Sequence, residues 1–192
     1  MSSKRLLLIS TAFDLFYHKG VHAVGINEIL SCSKVAKKTL YNHFASKDEL
    51  VSAVVAYRDE CFCNWLTLRL EGVSPGIARI ETVFDALDDW FNDRVEVLLP
   101  FQGCFFINVS GEFGDPCHPV HQQCARHKQR IATLIEDQIL TLGVEPHAVP
   151  FLTDALCLLK EGAIVLAHVQ GDRGAALKAK TTARLLIASS LS

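Results

Sequence analysis

Between Lys37 and Lys47 the chain gathers side chains suited to a polyanion: Lys37, Lys38, Thr39, Tyr41, Asn42, His43 and Lys47. Lysines offer contacts to phosphate oxygens, and Asn and Thr can read base edges. Such groups work together only if one exposed face presents them. The spacing supplies that face, because Leu40 and Phe44 recur one helical turn apart. A helix over about 36–44 therefore buries this pair and turns its polar residues outward. Ile26, Ile29 and Leu30 form the apolar face of a preceding helix. Ser31 to Val35 make the turn, with Val35 as the apolar plug between the two arms. Two helices crossing at a tight turn, the second basic at its start, match a major-groove reader.

With these residues in place a family likeness emerges. Gly20, Ile26, Ile29, Val35, Thr39-Leu40-Tyr41, His43-Phe44, Lys47 and Leu50 resemble the DNA-binding signature of the tetracycline-repressor (TetR) family. The pattern Thr-Leu-Tyr-x-His-Phe-x-x-Lys-x-x-Leu fixes many positions over a short span. The turn departs from the family's usual Ala-Gly pair, with Ser33-Lys34 before the valine, and Lys38 replaces the small residue often found before Thr39. The resemblance implies that Tyr41, His43 and Lys47 position phosphates, while Lys37, Lys38 and Asn42 lie nearer the bases. It also implies an all-α protein. A three-helix DNA-binding head at residues 1–46 would precede a helical bundle at 47–192 for ligand binding and dimerisation, and the helix that starts at Lys47 would link the two.

Composition agrees with that reading. The chain has 192 residues, 49% of them hydrophobic, enough for a sizeable core and a buried subunit interface. No apolar run approaches the roughly 20 residues that span a bilayer. The start of the chain lacks a signal-peptide pattern, so a cytoplasmic protein without membrane contact is expected. The net charge is −2, yet residues 1–50 hold seven basic against four acidic residues. A basic end on an acidic body focuses a polyanion onto one surface.

Helical periodicity and breakers divide the chain into about nine helices with no credible strand. They cover about 4–18, the helix-turn-helix pair, 46–71, 77–99, 104–113, 119–142, 146–169 and 173–190. Phe62, Trp65, Phe84, Trp90, Phe105 and Phe106, with His121 as a polar group, are candidates to line an apolar effector pocket. The last two helices carry small and apolar side chains beyond what their own hairpin needs, including Ala163. Homodimerisation through residues 146–190 is therefore expected. The predicted function is a ligand-responsive regulator, a repressor released from a double-stranded DNA operator by a small apolar effector whose identity the sequence does not give.

Other chemistries leave weaker traces. Cys117, His121 and Cys124 form a possible thiolate–imidazole face, with His127 one turn beyond, and Cys104 near a helix start is a redox candidate. A redox- or metal-responsive repressor is thus an alternative. No metal or cofactor is called for by spacing. The aspartates Asp85, Asp88, Asp89 and Asp93, with Glu96, read as a solvated helical face. A small all-helical enzyme is a further alternative, but no phosphate loop, nucleophile elbow or carboxylate pair in an apolar setting is present, so no enzyme activity is expected.

Overall fold

In the computed structural model, which describes residues 3–191, the breakers set the helix ends. Helix α1 spans Ser3–Lys19, α2 Ile26–Ser33, α3 Lys37–His43, α4 Lys47–Leu70 and α5 Ile77–Phe91. A 3-10 turn at Glu96–Leu98 precedes α6, Phe105–Glu112. Helices α7 (Pro119–Leu140), α8 (Ala148–Val169) and α9 (Ala175–Leu191) complete the chain. No strand occurs among the described residues, so the expected all-α class holds.

Local chemistry accounts for several boundaries. Gly20, at φ +86, closes α1 with its N–H on the Phe16 carbonyl at 2.9 Å. The Ser46 hydroxyl accepts the Glu49 N–H at 3.1 Å, and the Glu49 carboxylate accepts the Ala45 N–H at 2.6 Å. This pair of bonds starts α4 much as a capping box does. The turn of the helix-turn-helix is shorter than expected: α2 continues to Ser33, and only Lys34–Ala36 separate it from α3.

Helix α5 ends at Phe91 and does not continue to 99. Asn92 bonds the Asp88 carbonyl through its side chain, and Asp93 then enters the left-handed region at φ +59. From there the Asp93 carboxylate accepts the Phe101 N–H at 2.6 Å, folding the segment back. The acidic cluster is accordingly not a free solvated face. Asp85 pairs with Lys180 at 2.6 Å, Asp89 with Arg69 at 2.7 Å, and Arg94 binds both Asp88 and Asp89. Sequence periodicity could not foresee this, because the partners come from α4, α9 and the loop.

Contacts divide the chain into two compact units, residues 1–60 with 104–127, and residues 61–103 with 128–192. This division differs from the boundary at 46/47 expected from the sequence. The first unit includes α6 and the start of α7, and its core is built by Leu8, Phe13, Phe16, Ile29, Leu40, Phe44 and Leu50. Arg58, almost fully buried, lies over Phe13 and Tyr17 at 5.1 and 5.5 Å, and Phe105 meets Phe13 edge-to-face at 5.2 Å. In the second unit, α9 packs on both α8 and α5, and Ala163, Ala167, Ala175, Ala176 and Ala179 on α8 and α9 are buried. Small side chains let the two helices approach closely.

Candidate nucleic-acid interface

Helix α3 is short, and its placement depends on two apolar anchors. Leu40 and Phe44 are both buried, and the Phe44 N–H on the Leu40 carbonyl at 2.9 Å ends the helix. Val35 is buried in the turn, as expected of the plug. With that side fixed, Lys37, Lys38, Tyr41 and Asn42 are exposed, while Thr39 and His43 are half-buried. Tyr41 keeps 46% of its surface, unusual for a large aromatic side chain with no structural need to be outside. Six of the seven predicted residues therefore share one helix with an accessible polar side.

The seventh behaves differently. Lys47 is half-buried, donates to the Val21 carbonyl at 2.7 Å, and lies 6.0 Å from the Phe16 ring centre. It ties the start of α4 to the turn between α1 and α2. That same turn is held from α6. Glu112 accepts the Val21 N–H at 2.7 Å and the His22 N–H at 2.6 Å, with the His22 ring 3.5 Å away. Residues 21 and 22 thus sit between a cation that takes their carbonyl and a carboxylate that takes their amides. Nothing in the sequence around Glu112 signals a partner ninety residues earlier.

Charge pairing sorts the basic residues further. Lys19 binds Glu28 at 2.6 Å, and that hydrogen bond holds the Lys19 ammonium above its ordinary range. Arg5 lies over the Phe44 ring at 5.0 Å. Lys34, Lys37 and Lys38 are exposed and have no acidic partner among the described residues. Their charge is available to a ligand.

The other predicted residues fall into separate groups. Phe62, Trp65 and Trp90 come together in the second unit, with ring centres 5.2 and 5.3 Å apart, and Trp90 meets Phe101 at 4.9 Å. Phe84 lines a narrow apolar crevice with Ile80, Val83, Ile135 and Leu156. Phe105 and Phe106 belong to the first unit, where Phe106 stacks on His127 at 3.5 Å and His127 bonds Asp59 at 2.6 Å. His121 directs Nδ1 to the Phe113 carbonyl at 2.8 Å. An open groove of about 340 Å³ lies along α4 and α7, lined by Cys63, Thr67, Arg130, Ile131, Thr133, Leu134 and Asp137.

The alternative metal face is not formed: among the described residues Cys117, His121 and Cys124 do not converge as three ligands. Cys124 points into the core, Cys117 lies exposed on the preceding turn, and His121 faces a backbone carbonyl. No disulfide joins the cysteines among the described residues, and Cys104 is buried at the start of α6.

Residues 8–54 match the family described as bacterial regulatory proteins, tetR family. The chain is 30% identical to the Transposon Tn10 TetC protein of Escherichia coli over 95 residues, 50% of this chain and 48% of that one. It is likewise 30% identical over 87 residues to the transcriptional activator FasR of Mycolicibacterium smegmatis, covering 45% of this chain and 40% of FasR. The matched stretch thus spans less than half of these curated relatives. Among solved structures, SCO4454, a TetR-family transcriptional regulator from Streptomyces coelicolor, superposes with a TM-score of 0.87 at 25% identity, over 100% of this chain and 98% of that one. The reduced form of NemR from Escherichia coli shares the fold at a TM-score of 0.82 and 19% identity, over 94% of this chain and 95% of NemR. Residues 8–54 thus match the tetR family, and the chain as a whole shares its helical fold with solved TetR-family regulators.

Proposed function

We propose that this protein is a ligand-responsive transcriptional repressor that binds a double-stranded DNA operator as a homodimer. The observation that carries the reading is α3. Its apolar anchors are buried, and its remaining surface offers Lys37, Lys38, Tyr41 and Asn42 to a partner, with no partner for either lysine among the described residues. Unpaired lysines supply phosphate affinity, while Asn42 and Thr39 supply groups able to read base edges. Residues 1–46 act as the head and 47–192 as the ligand-binding and dimerisation body.

Dimerisation through 146–190 is supported by a groove of about 500 Å³ on α8 and α9, lined by Ala155, Leu159, Gly162, Leu166, Ala179 and Leu186. Leu158, which also lines it, is 73% exposed, and Phe151, Val165, Leu177 and Leu185 of the same two helices are exposed as well. An apolar surface of this extent marks a protein contact. A second copy of the same helix pair would set the two α3 helices in successive major grooves, about 34–36 Å apart.

The effector acts through α4, whose first turn carries Lys47 and whose later turns carry Phe62, Cys63, Trp65 and Thr67. The rings of Phe62, Trp65 and Trp90 pack edge to face on one another, and a small apolar molecule reaches them from the open groove at Cys63 and Thr67. A shift of α4 then moves the bond from Lys47 to Val21 and lowers operator affinity. Coupling of about 1–3 kcal/mol is typical for such regulators. Footprinting on a duplex selected from random DNA tests the reading. A K37A/K38A/Y41A triple variant should lose protection, and retained protection would show that α3 is not the reader.

A further inference from the structure

Lys34 ends α2 with φ 56 and ψ 21, in the left-handed region. A side chain with a Cβ meets the following carbonyl there, which is why glycine, and less often asparagine, fills such positions. The rest of the turn does not require a lysine. Val35 turns inward, and its N–H is satisfied by the Ser33 hydroxyl at 3.4 Å, so the chain at 34 faces solvent. The Lys34 side chain is exposed and makes no ion pair or hydrogen bond among the described residues. It stands three residues before Lys37, at the entrance to the helix that presents Lys37 and Lys38. A conformation unfavourable to a side chain thus holds an exposed lysine with no ion pair or hydrogen bond among the described residues.

We propose that Lys34 is a phosphate contact of the DNA interface, extending the charged edge of α3 back across the turn. This rests on the DNA-binding reading above. Its ammonium adds affinity for any duplex without adding sequence preference, because a point charge on a flexible stem follows the backbone and not the bases. The competing role is internal: a cation at the C-terminal end of α2 complements the helix dipole. The two roles separate cleanly, since one appears in DNA binding and the other in melting temperature.

The experiment uses the full chain as K34Q, K34G and K34R variants. Binding is measured by fluorescence anisotropy across a salt series, on a duplex selected with the wild-type protein and on an unrelated duplex. K34Q and K34G should weaken both duplexes by the same factor. They should also flatten the plot of log affinity against log salt by about 0.9 for each protomer bound. K34R should retain the wild-type slope. K34G alone should melt above wild type, because glycine relaxes the turn while the lost charge affects only DNA. If K34Q melts lower but keeps wild-type affinity and slope, the lysine serves the helix end and the proposal is overturned. If it loses affinity for the selected duplex alone, Lys34 reads sequence and the assignment to phosphate is equally wrong. A wild-type protein that binds no duplex in a salt-dependent way would remove the underlying DNA-binding reading together with this one. That outcome differs from the first two, in which wild type binds normally.

Discussion

Replacing Glu112 by glutamine tests whether the turn between α1 and α2 is clamped as the geometry indicates. The carboxylate stands in the last turn of α6, where the helix dipole disfavours negative charge, so its partners must hold it there. Those partners are the Val21 and His22 amides at 2.7 and 2.6 Å. Hydrogen bonds to a charged group contribute about 1.5–3 kcal/mol each. The Glu112 side chain is 25% exposed, so the lower end of that range applies. Glutamine keeps the shape and one carbonyl acceptor, and therefore loses one bond and the charge. The net cost is about 1.5–2 kcal/mol, equivalent to a ten- to thirtyfold rise in local opening at about 1.4 kcal/mol per decade. Amide hydrogen exchange should show that loss of protection at Val21 and His22, with little change at Leu40. A chain of this size should also melt about 3–8 °C lower. K47A releases the other side of the same turn, so the double variant should cost less than the two single changes added together. Unchanged protection at both amides in E112Q would refute the clamp and remove α6 from any account of how the head is held.

Three further outcomes follow from the second unit. L158E places a charge on a side chain that is 73% exposed in the single chain, so it should sediment as a folded monomer and lose operator affinity; a variant that remains dimeric would exclude this face. Ala163, expected at the seam, lines the same groove but is only 2% exposed, so A163E would also carry a desolvation cost within the monomer and L158E is the cleaner test. W65A should blunt operator release by apolar compounds in a thermal-shift and release screen while apo binding persists, and an undiminished response would dissociate the aromatic group from the effector. Burial pushes the Glu161 carboxyl up, but Lys160 and Lys128 outweigh it, and the group titrates below its ordinary range. A depressed carboxylate stabilises the fold above the unfolded pKa of about 4.3, and that contribution disappears as pH falls through this region. Urea unfolding of E161Q should show a flatter acid limb than wild type, and about 1–3 kcal/mol less stability at neutral pH because Lys160 stays buried without its carboxylate. A parallel acid limb would rule out Glu161 as its source.

Local patterns carried the sequence reading a long way. Leu40 and Phe44, one turn apart, were enough to place α3 and to turn Lys37, Lys38, Tyr41 and Asn42 outward. Ser46 marked the start of α4, Gly20 the end of α1, and the small residues of α8 and α9 their mutual packing. Each of these depends on neighbours within a few residues, where helix geometry fixes which side chains share a face. The fold decided what depends on partners distant in the chain. Lys47, expected at a phosphate, gained a second task in holding the Val21 carbonyl, and Glu112 carried no signal at all. The aspartates after Asp85 seemed solvated until Arg69, Arg94 and Lys180 reached them. The ring partners, Phe13 for Phe105 and Trp90 for Phe62, stayed hidden for the same reason, since aromatic spacing states that a ring is buried but not against what. Even Lys34, plain in the sequence, acquired meaning only from a backbone angle, because the cost of a left-handed residue lies in how the turn must close over Val35.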